Sequence, residues 1–427
     1  MKKFFAILLA AMMVISLAAC DGQKKPEETK APETAEETTE AAGETEETET
    51  EKVWTDTTPI KIGHICDLTG NEATTGEESS KALRFAVEKF GTICGRPVEI
   101  IEEDAKGDAA TAADVARKLV EQDGVSAIFG PTQAGQKAAV TAYMDEAEVP
   151  LIFFNGTPTY LFQTSDWLIG AGGANPQMTA VIADYAYNEL GYRKVHILTM
   201  DNTGFRSFSD DFTKFFTAHG GEIGQEFYVP FTSGDWSSYF AAMETEGVDG
   251  IMTWTTGAQA IALWKCYDEM GIDEKLPITA ILSSAFTDYY IGNALKASGS
   301  GAIDSFVGTF APSQYVYDID TPENKAFVEE WKAEFGYVPN TNIAGLMYEA
   351  YQMFVAAVEA NEGVTEPEQL REALMSVDIT GPAGRLFFTD SNAATKDTYV
   401  VKVVEMEDGS YNYGIVKTYK DVPPMGK

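Results

Sequence analysis

The stretch that most constrains the fold runs from Val125 to Pro158. One apolar run, Val125 to Phe129, ends in Gly-Pro-Thr-Gln, and a second, Val149 to Phe154, ends in Asn-Gly-Thr-Pro. A helical segment from Ala134 to Glu146 separates the two runs. Continuous apolar runs of this length, joined through a helix, are typical of parallel strands buried on both faces. The two polar loops should therefore lie at the same edge of a sheet, where open α/β sheets bind their ligands.

These two loops carry side chains that suit the polar head of a small molecule. Thr132, Gln133 and Thr157 offer hydroxyl and amide groups beside the free backbone N–H groups of a helix start. We expect them to bind the head group together with Asn155 and Gly156. The alternative is that they serve only as helix caps and turn residues.

The same strand, loop and helix pattern recurs on both sides of this stretch. Before it, strands are predicted at Ile60 to Cys66 and Pro97 to Glu102, with helices at Ser79 to Phe90 and Ala109 to Gln122. A second run starts at Pro176, with strands predicted at Lys194 to Thr199, Phe227 to Phe231, Gly250 to Trp254 and Ile278 to Leu282. Two such runs predict an α/β fold of two lobes, each a parallel sheet with helices on both faces.

The residues after Gly308 follow this pattern less closely. Helices are predicted from Thr321 to Phe335 and from Asn342 to Asn361, and Thr398 to Val404 with Tyr411 to Lys417 predicts a terminal hairpin-like pair. This part is too irregular for a third α/β lobe, so we expect it to complete the first two.

The N-terminus has the features of a targeting segment. Lys2 and Lys3 precede an apolar run, Phe4 to Leu17, that is short for a membrane span and closes on Leu-Ala-Ala-Cys at Cys20. This ending resembles a bacterial lipobox, in which Cys20 becomes the lipid-modified first residue. Residues 1–20 are therefore predicted to be a lipoprotein signal peptide, and an ordinary signal peptide with a chance cysteine is the alternative. A lipid on Cys20 would anchor the protein to the outer face of the bacterial cell membrane.

Residues 21–58 are mostly Glu, Thr, Ala and Pro. Such a segment buries too little apolar surface to offset its ordering entropy, and it predicts a disordered acidic tether. The whole chain has a formal net charge of −35. That charge argues against nucleic acid as a partner, because phosphate binding requires clusters of Lys and Arg.

Motifs of nucleotide binding, acyl transfer and metal hydrolysis are absent from the sequence: there is no GxxxxGK[ST], GxSxG, HExxH or CxxC. His64 and His196 lie in predicted apolar strands, where hydrogen-bonded structural imidazoles are expected, and His219 lies in a helix's last turn. We therefore predict a binding protein that uses no cofactor or metal, rather than an enzyme. An amidohydrolase-like enzyme on the same scaffold is the disfavoured alternative.

Three cysteines follow the signal segment, at Cys66, Cys94 and Cys266. They allow at most one disulfide, and buried thiols that pack as small apolar residues are the preferred interpretation.

Five segments together have the order and spacing of a known family. They are I-K-I-G-H-I-C-D-L-T-G at Ile60 to Gly70, G-R-P-V-E-I-I-E-E-D at Gly95 to Asp104, A-I-F-G-P-T-Q-A at Ala127 to Ala134, F-G-Y-V-P-N-T at Phe335 to Thr341, and G-P-A-G-R-L-F-F-T-D at Gly381 to Asp390. The chain thus resembles the type I periplasmic-binding-protein family, in the leucine/isoleucine/valine-binding branch that serves ABC importers. The resemblance implies two Rossmann-like lobes that are joined by a three-crossing hinge and close over a ligand.

The resemblance also implies where the lobes divide. The crossings are expected near Ala174, Ala311 and Ser391. Lobe one would then contain residues 59–173 and 312–390, and lobe two residues 174–311 and 391–427.

The resemblance assigns the ligand site residue by residue. In family members that bind amino acids, the loops matching Gly130 to Gln133 and Asn155 to Thr157 hold the α-carboxylate and help with the ammonium. In lobe two this chain departs from the family: Phe205-Arg206 replaces Tyr-Gly, and no carboxylate stands at Ser283-Ser284, where the ammonium's acidic partner is expected. A buried ammonium without an anion costs several kcal/mol, so a branched-chain amino acid is doubtful and a related small carboxylate or amide fits better.

Phe205 and Trp254 would suit the apolar or aromatic body of such a ligand. The alternative for Trp254 is that it packs in the protein core. The predicted ligand-binding set is Thr69, Thr75, Thr132, Gln133, Asn155, Gly156, Thr157, Phe205, Trp254, Thr255, Ser283 and Ser284.

These features predict an extracytoplasmic solute-binding lipoprotein of an ABC importer. It is expected to be a monomer that binds an amino acid or a related small carboxylate or amide and delivers it to the permease. The alternative is a ligand-sensing module coupled to a signalling partner.

Overall fold

The computed structural model describes residues 54–424 apart from residue 71, residues 231–232, residue 256, residues 280–286 and residues 340–341. The described residues belong to one compact unit, Val53–Lys427. The predicted signal peptide and nearly all of the predicted tether lie outside the described residues. No helix in the described ranges is both long enough and apolar enough to cross a membrane.

The first half of the compact unit forms a parallel sheet of five strands. They are β1 (Ile60–Cys66), β2 (Val98–Asp104), β3 (Ala127–Phe129), β4 (Leu151–Phe153) and β5 (Leu168–Gly170), in the order β2-β1-β3-β4-β5. The helices between them are α1 (Ala73–Phe90), α2 (Ala109–Lys118) and α3 (Ala134–Ala147), with short helical turns at Leu119–Asp123 and Thr159–Gln163. The predicted parallel sheet is confirmed.

Side chains alternate across this sheet, because successive residues of a strand point to opposite faces. Phe129 and Ile152 join the core that contains Phe85 of α1, whereas Ile128 and Leu151 join a second core with α2 and α3. Helices therefore cover both faces of the sheet, as predicted, and both faces of its strands are buried.

A second parallel sheet has the order β7-β6-β8-β9. Its strands are β6 (Lys194–Asp201), β7 (Glu222–Pro230), β8 (Gly250–Met252) and β9 (Ile278–Thr279). The helices of this region are α4 (Asn175–Asn188), α5 (Thr203–Ala218), α6 (Ser237–Ala242), α7 (Gly257–Glu269), α8 (Thr287–Ser298) and α9 (Ala302–Phe306). The second α/β run of the sequence is confirmed.

The sequence pattern predicts a helix from Phe208 to Ala218 after a loop at Asp201 to Phe205, but helix α5 begins at Thr203. The side-chain oxygen of Asn202 accepts a hydrogen bond from the backbone N–H of Phe205 at 2.9 Å, which caps the helix start. Phe205 therefore lies in the first turn of a helix rather than in a loop.

The rest of the chain forms an antiparallel sheet. Its strands are β10 (Phe310–Ser313), β11 (Asp378–Gly381), β12 (Gly384–Phe387), β13 (Thr395–Glu405) and β14 (Tyr411–Val422), in the order β10-β13-β12-β11 with β14 also paired to β13. The accompanying helices are α10 (Pro322–Phe335), α11 (Asn342–Ala360) and α12 (Pro367–Met375). The predicted terminal pair is confirmed as β13 and β14, and α11 packs on α1.

The buried side chain of Gln177 joins its own segment to three others, at Gln314, Ala394 and Val422. Its Oε1 accepts from the N–H of Ala174 at 2.6 Å and lies 3.4 Å from the donating Nε2 of Gln314. Its Nε2 donates to the carbonyls of Ala394 at 3.1 Å and Val422 at 2.6 Å. One amide thus joins segments that lie close to the three crossings expected from the sequence.

Candidate functional site

The two polar loops of the first sheet contact each other directly. They follow the neighbouring parallel strands β3 and β4, and the side-chain nitrogen of Asn155 donates to the carbonyl of Thr132 at 3.3 Å. The predicted juxtaposition of Thr132 with Asn155 is therefore present in the structure. Their role in ligand binding stays a prediction.

Lys137, which the sequence analysis did not single out, holds the second loop in place. Its side chain is fully buried, and its Nζ donates to Oδ1 of Asn155 at 2.8 Å, the carbonyl of Gly156 at 3.0 Å and Oγ1 of Thr157 at 2.9 Å. Nζ also lies 4.7 Å from the ring centre of Phe153. These partners are all neutral, and burial lowers the pKa of Lys137 well below its ordinary value.

Thr157 has the chemistry of a hydrogen-bond donor to an anion. The side chain is fully buried, and its hydroxyl accepts from Lys137 while donating to the carbonyl of Asn155 at 3.1 Å. A hydroxyl has one proton, so turning it toward a ligand would exchange the Asn155 carbonyl for a ligand oxygen. Donation from Lys137 polarises the hydroxyl and strengthens it as a donor.

Gln133 is oriented by Asp67, another residue that the sequence analysis did not single out. The side-chain nitrogen of Gln133 donates to Oδ2 of Asp67 at 2.7 Å. Oδ1 of the same carboxylate accepts from Gln136 at 2.7 Å and from the N–H of Gly107 at 2.7 Å. The bond to Asp67 uses one of the two amide protons, so Gln133 can offer a ligand its second N–H as a donor and its oxygen as an acceptor.

Thr69 and Thr75 already have carboxylate partners. The hydroxyl of Thr69 donates to Oδ2 of Asp104 at 2.7 Å, and that of Thr75 donates to Oε2 of Glu72 at 2.9 Å. Thr69 is exposed, whereas Thr75 is buried in α1. A ligand would have to compete with these carboxylates, and contact with either threonine stays a prediction.

The starts of α3 and α5 approach each other from the two parallel-sheet regions. A Cβ built on Gly204 would lie 3.4 Å from the Cβ of Ala134. Phe205 follows Gly204 and is 8% exposed, so it lies beside this contact and near the loop that ends at Gln133. The structure therefore brings Phe205 close to the predicted head-group loops.

Trp254 packs in the core of the second parallel-sheet region, and its contact with a ligand stays a prediction. Its side chain has no exposed surface, and its ring centre lies 6.2 Å from that of Phe208 and 5.7 Å from that of Phe212. Thr255 is 1% exposed. Nε1 of Trp254 and Oγ1 of Thr253 have no hydrogen-bond partner within the described chain, so this strand end offers two buried groups that a bound molecule could satisfy.

Ser283 and Ser284 lie outside the described residues, so their predicted contact with the ligand stays a prediction.

His196 is a hydrogen-bonded structural imidazole, as expected from the sequence. Its Nε2 contacts the carbonyl of Glu244 at 2.8 Å, and its Nδ1 accepts from the N–H of Gln225 at 2.8 Å. Cys66, Cys94 and Cys266 are thiols rather than disulfide partners, as preferred from the sequence.

Comparison with known proteins identifies the family to which this two-lobed arrangement belongs. Residues 59–410 match the periplasmic binding protein family. The chain is a member of this family. It is 23% identical over 366 residues to the Leu/Ile/Val-binding protein homolog 6 of Brucella melitensis, covering 84% of this chain and 92% of the relative.

Solved structures of periplasmic binding proteins have the same fold. An ABC transporter substrate-binding protein from Sphaerobacter thermophilus superposes with a TM-score of 0.78 at 28% identity, covering 86% of this chain and 99% of that one. A solute-binding protein of an ABC transporter from Rhodopseudomonas palustris, in complex with 3,4-dihydroxybenzoic acid, gives 0.75 at 23% identity, covering 85% and 98%. The type I fold and the leucine/isoleucine/valine-binding branch expected from the sequence are confirmed.

Proposed function

We propose that this protein is the extracytoplasmic substrate-binding component of an ABC importer and that it binds a small carboxylate between its lobes. We infer the ligand class from Lys137. This lysine is fully buried, and its hydrogen-bond partners are neutral and include the Thr157 hydroxyl. Family membership supports the transport role.

A carboxylate beside Thr157 would be the negatively charged partner that is missing among the hydrogen-bond partners of Lys137. Burial disfavours the ammonium form of an isolated lysine, and a nearby anion favours it. The backbone N–H groups at the start of α3 add positive potential at the same place. Binding of the anion and protonation of Lys137 should therefore reinforce each other.

The ligand's second half is less constrained. The relative from Brucella melitensis is named for leucine, isoleucine and valine, and the structure from Rhodopseudomonas palustris contains 3,4-dihydroxybenzoic acid, so the two share a carboxylate but differ in the ammonium and the tail. In this chain, Phe205 beside the loops suits an apolar or aromatic tail. The oxygen of Gln133 can accept from an ammonium or a ring hydroxyl, so both small amino acids and aromatic acids fit the proposal.

The remaining parts of the proposal concern the whole assembly. Lobe one is assigned residues 59–173 and 312–390, and lobe two residues 174–311 and 391–427; the convergence of three segments on Gln177 supports divisions near these positions. A lipid on Cys20 and the acidic segment 21–58 would hold a monomer near its permease. Lobe closure would give the permease a surface that only the liganded protein presents.

A thermal-shift screen with matched acids and amides tests the ligand class. The purified protein is heated with leucine, leucinamide, benzoate or benzamide, and isothermal titration calorimetry follows for each ligand that stabilises it. At 100 times its Kd, a ligand should add about 2.7 kcal/mol to the free energy of unfolding. We expect at least one acid to stabilise the protein and its amide to do so far less.

Two results would contradict the proposal at different levels. Equal binding of an acid and its matched amide would show that the carboxylate assignment is wrong while binding itself stands. No stabilisation by any member of a panel widened to all amino acids and small aromatic acids would count against a solute-binding role for this class of ligand.

A further inference from the structure

A cluster of metal-ligand side chains lies between β1, β2 and α1. None of them belongs to the two head-group loops, although His64 lies close to Gly130. His64 and Cys66 are two residues apart on β1 and so point to the same face, and Glu102 of β2 stands opposite His64 in the strand register. His64 is 0% and Cys66 2% exposed, and Glu102 is half-buried. One potential ligand atom from each of the three residues lies within 4.8 Å of the others.

Each ring nitrogen of His64 has one polar neighbour. Oγ of Ser79 lies 2.9 Å from the carbonyl of Gly76 and 3.2 Å from Nε2 of His64, so its single proton can serve only one of the two at a time. Nδ1 of His64 faces Oε2 of Glu102 at 3.0 Å. With Ser79 donating to Gly76, the ring proton lies on Nε2, and Nδ1 and Oε2 then both offer lone pairs to a cation placed between them.

We propose that a Zn²⁺-class divalent metal occupies this position, bound by Nδ1 of His64, Sγ of Cys66 and Oε2 of Glu102. Imidazole, thiolate and carboxylate are the donors that zinc takes in proteins. A neutral imidazole, a thiolate and a carboxylate carry two negative charges together, which balance a divalent ion. Water completes a four-coordinate shell.

The surroundings of the cluster suit this assignment. Ser79 accepts the Nε2 proton and orients the ring, as outer hydrogen-bond partners of metal-bound histidines do. Nη2 of Arg84 pairs with Oε1 of Glu102 at 3.1 Å, which leaves Oε2 for the metal.

The metal would link β1 to β2, and Ser79 of α1 would bond to its histidine ligand. This proposal does not rest on the identity of the solute. The test uses the purified full chain, stripped with a chelator and titrated with Zn²⁺ and with Co²⁺. We expect one tightly bound equivalent of either metal, and a thiolate-to-cobalt charge-transfer absorption with Co²⁺. Cys66→Ser should abolish this absorption, whereas Cys94→Ser, a buried cysteine outside the cluster, should retain it.

A second variant distinguishes the loss of a metal-binding side chain from the loss of a residue that only orients one. Ser79→Ala keeps all three metal-binding groups but removes the acceptor of the Nε2 proton, and we expect zinc affinity to fall about 10-fold to 100-fold. If Cys66→Ser does not fold, the unaltered protein still tests the proposal. Its melting temperature should rise when Zn²⁺ is added and return to its starting value when a chelator is added. No bound equivalent, no such rise, or full binding by a folded Cys66→Ser protein would overturn the proposal. The tautomer of His64 in which Nδ1–H donates to Glu102 and Ser79 donates to Nε2 would then explain the two contacts.

Discussion

Thr157 combines complete burial with a hydroxyl proton that a ligand can redirect. Replacing it with Ala removes that donor, and we expect Thr157→Ala to weaken carboxylate binding by about 1–3 kcal/mol, the cost of an unmade buried hydrogen bond. Thr157→Ser should retain most of the affinity because it keeps the hydroxyl. Calorimetry with the acid identified by screening measures both. Thr164→Ala, at an exposed turn residue, is the matched control, and an unaltered Kd for Thr157→Ala would place the head group elsewhere.

Lys137 gives the stability of the protein a predictable dependence on pH. Its folded-state pKa is lowered well below 10.5 by burial, so between that lowered pKa and 10.5 the unfolded chain binds more protons than the folded one. The stability cost of burying Lys137 therefore shrinks as pH rises through this window.

The measurement is denaturant unfolding from neutral to alkaline pH for the unaltered protein and Lys137→Met. We expect the free energy of unfolding of the unaltered protein to rise with pH relative to that of the variant. Lys332→Met, on an exposed helix surface, controls for loss of a lysine as such. Parallel curves for the unaltered protein and Lys137→Met would show that Lys137 stays charged in the folded protein.

Sequence reasoning could find the loop residues of the site because their position after buried strands is set by local pattern. It could not find Lys137 or the orienting role of Asp67, since a charged residue near a helix start is usually solvated. The available signal was that Lys137 is the lone basic residue in the α3 sequence, four positions after Gln133. The sequence left open whether Trp254 packs in the core or lines the cleft, because a tryptophan at a strand end suits both positions. Its packing against Phe208 and Phe212 is visible only in the structure.

An ion pair joins helix α11 to strand β13 across the interior. Glu349 and Lys396 are 1% and 0% exposed and contact each other directly. Removing one partner leaves a buried charge without its counter-charge, so we expect Glu349→Gln to lower the free energy of unfolding by about 3–5 kcal/mol. The double variant Glu349→Leu with Lys396→Met should be more stable than Glu349→Gln, because neither charge remains.

Denaturant unfolding of the single and double variants measures this coupling. The exposed pair of Asp320 and Lys325 is the control, and Asp320→Asn should cost only about 0–1 kcal/mol. A double variant no more stable than Glu349→Gln would mean that the pair is needed for packing rather than for charge compensation.

Element type was predictable wherever apolar periodicity was strong, as in β1 to β4, β6 to β9, α10 and α11, whereas the short strand β5 was missed. Boundaries were less predictable. The start of α5 was placed too late because the capping contact of Asn202 with Phe205 looks like a polar loop in the sequence. Helices α8 and α9 were missed, and the antiparallel order of the last strands depends on long-range pairing that local pattern does not encode.

The predicted lipid anchor has a direct test on the whole protein. Cys20→Ser removes the thiol that a lipid requires, and a signal peptide would still direct the chain across the membrane. We expect the unaltered protein to partition into the detergent phase of a membrane extract and to incorporate labelled fatty acid, and the variant to do neither. Cys266→Ser keeps Cys20 and should behave like the unaltered protein. Equal labelling of the Cys20→Ser protein would contradict lipidation at this position.

The contact between the starts of α3 and α5 offers a way to test closure of the two lobes. The Cβ separation of 3.4 Å between Ala134 and a side chain built at Gly204 is close to the range of about 3.5–4.5 Å found in disulfides. The double variant Ala134→Cys with Gly204→Cys should therefore form a bond between the lobes under oxidising conditions. Native Cys66 and Cys94 are buried and should not compete.

If the ligand leaves only when the lobes separate, the oxidised double variant should release a bound acid about tenfold or more slowly than the same protein after reduction. Stopped-flow dissociation, with the ligand loaded before oxidation, measures the two rates. Each single cysteine variant should release the ligand at one rate whatever the redox state, because it lacks the partner thiol. Equal rates for the oxidised and reduced double variant would mean that the ligand can leave without separation of α3 from α5, and the binding site would then have to lie away from this contact.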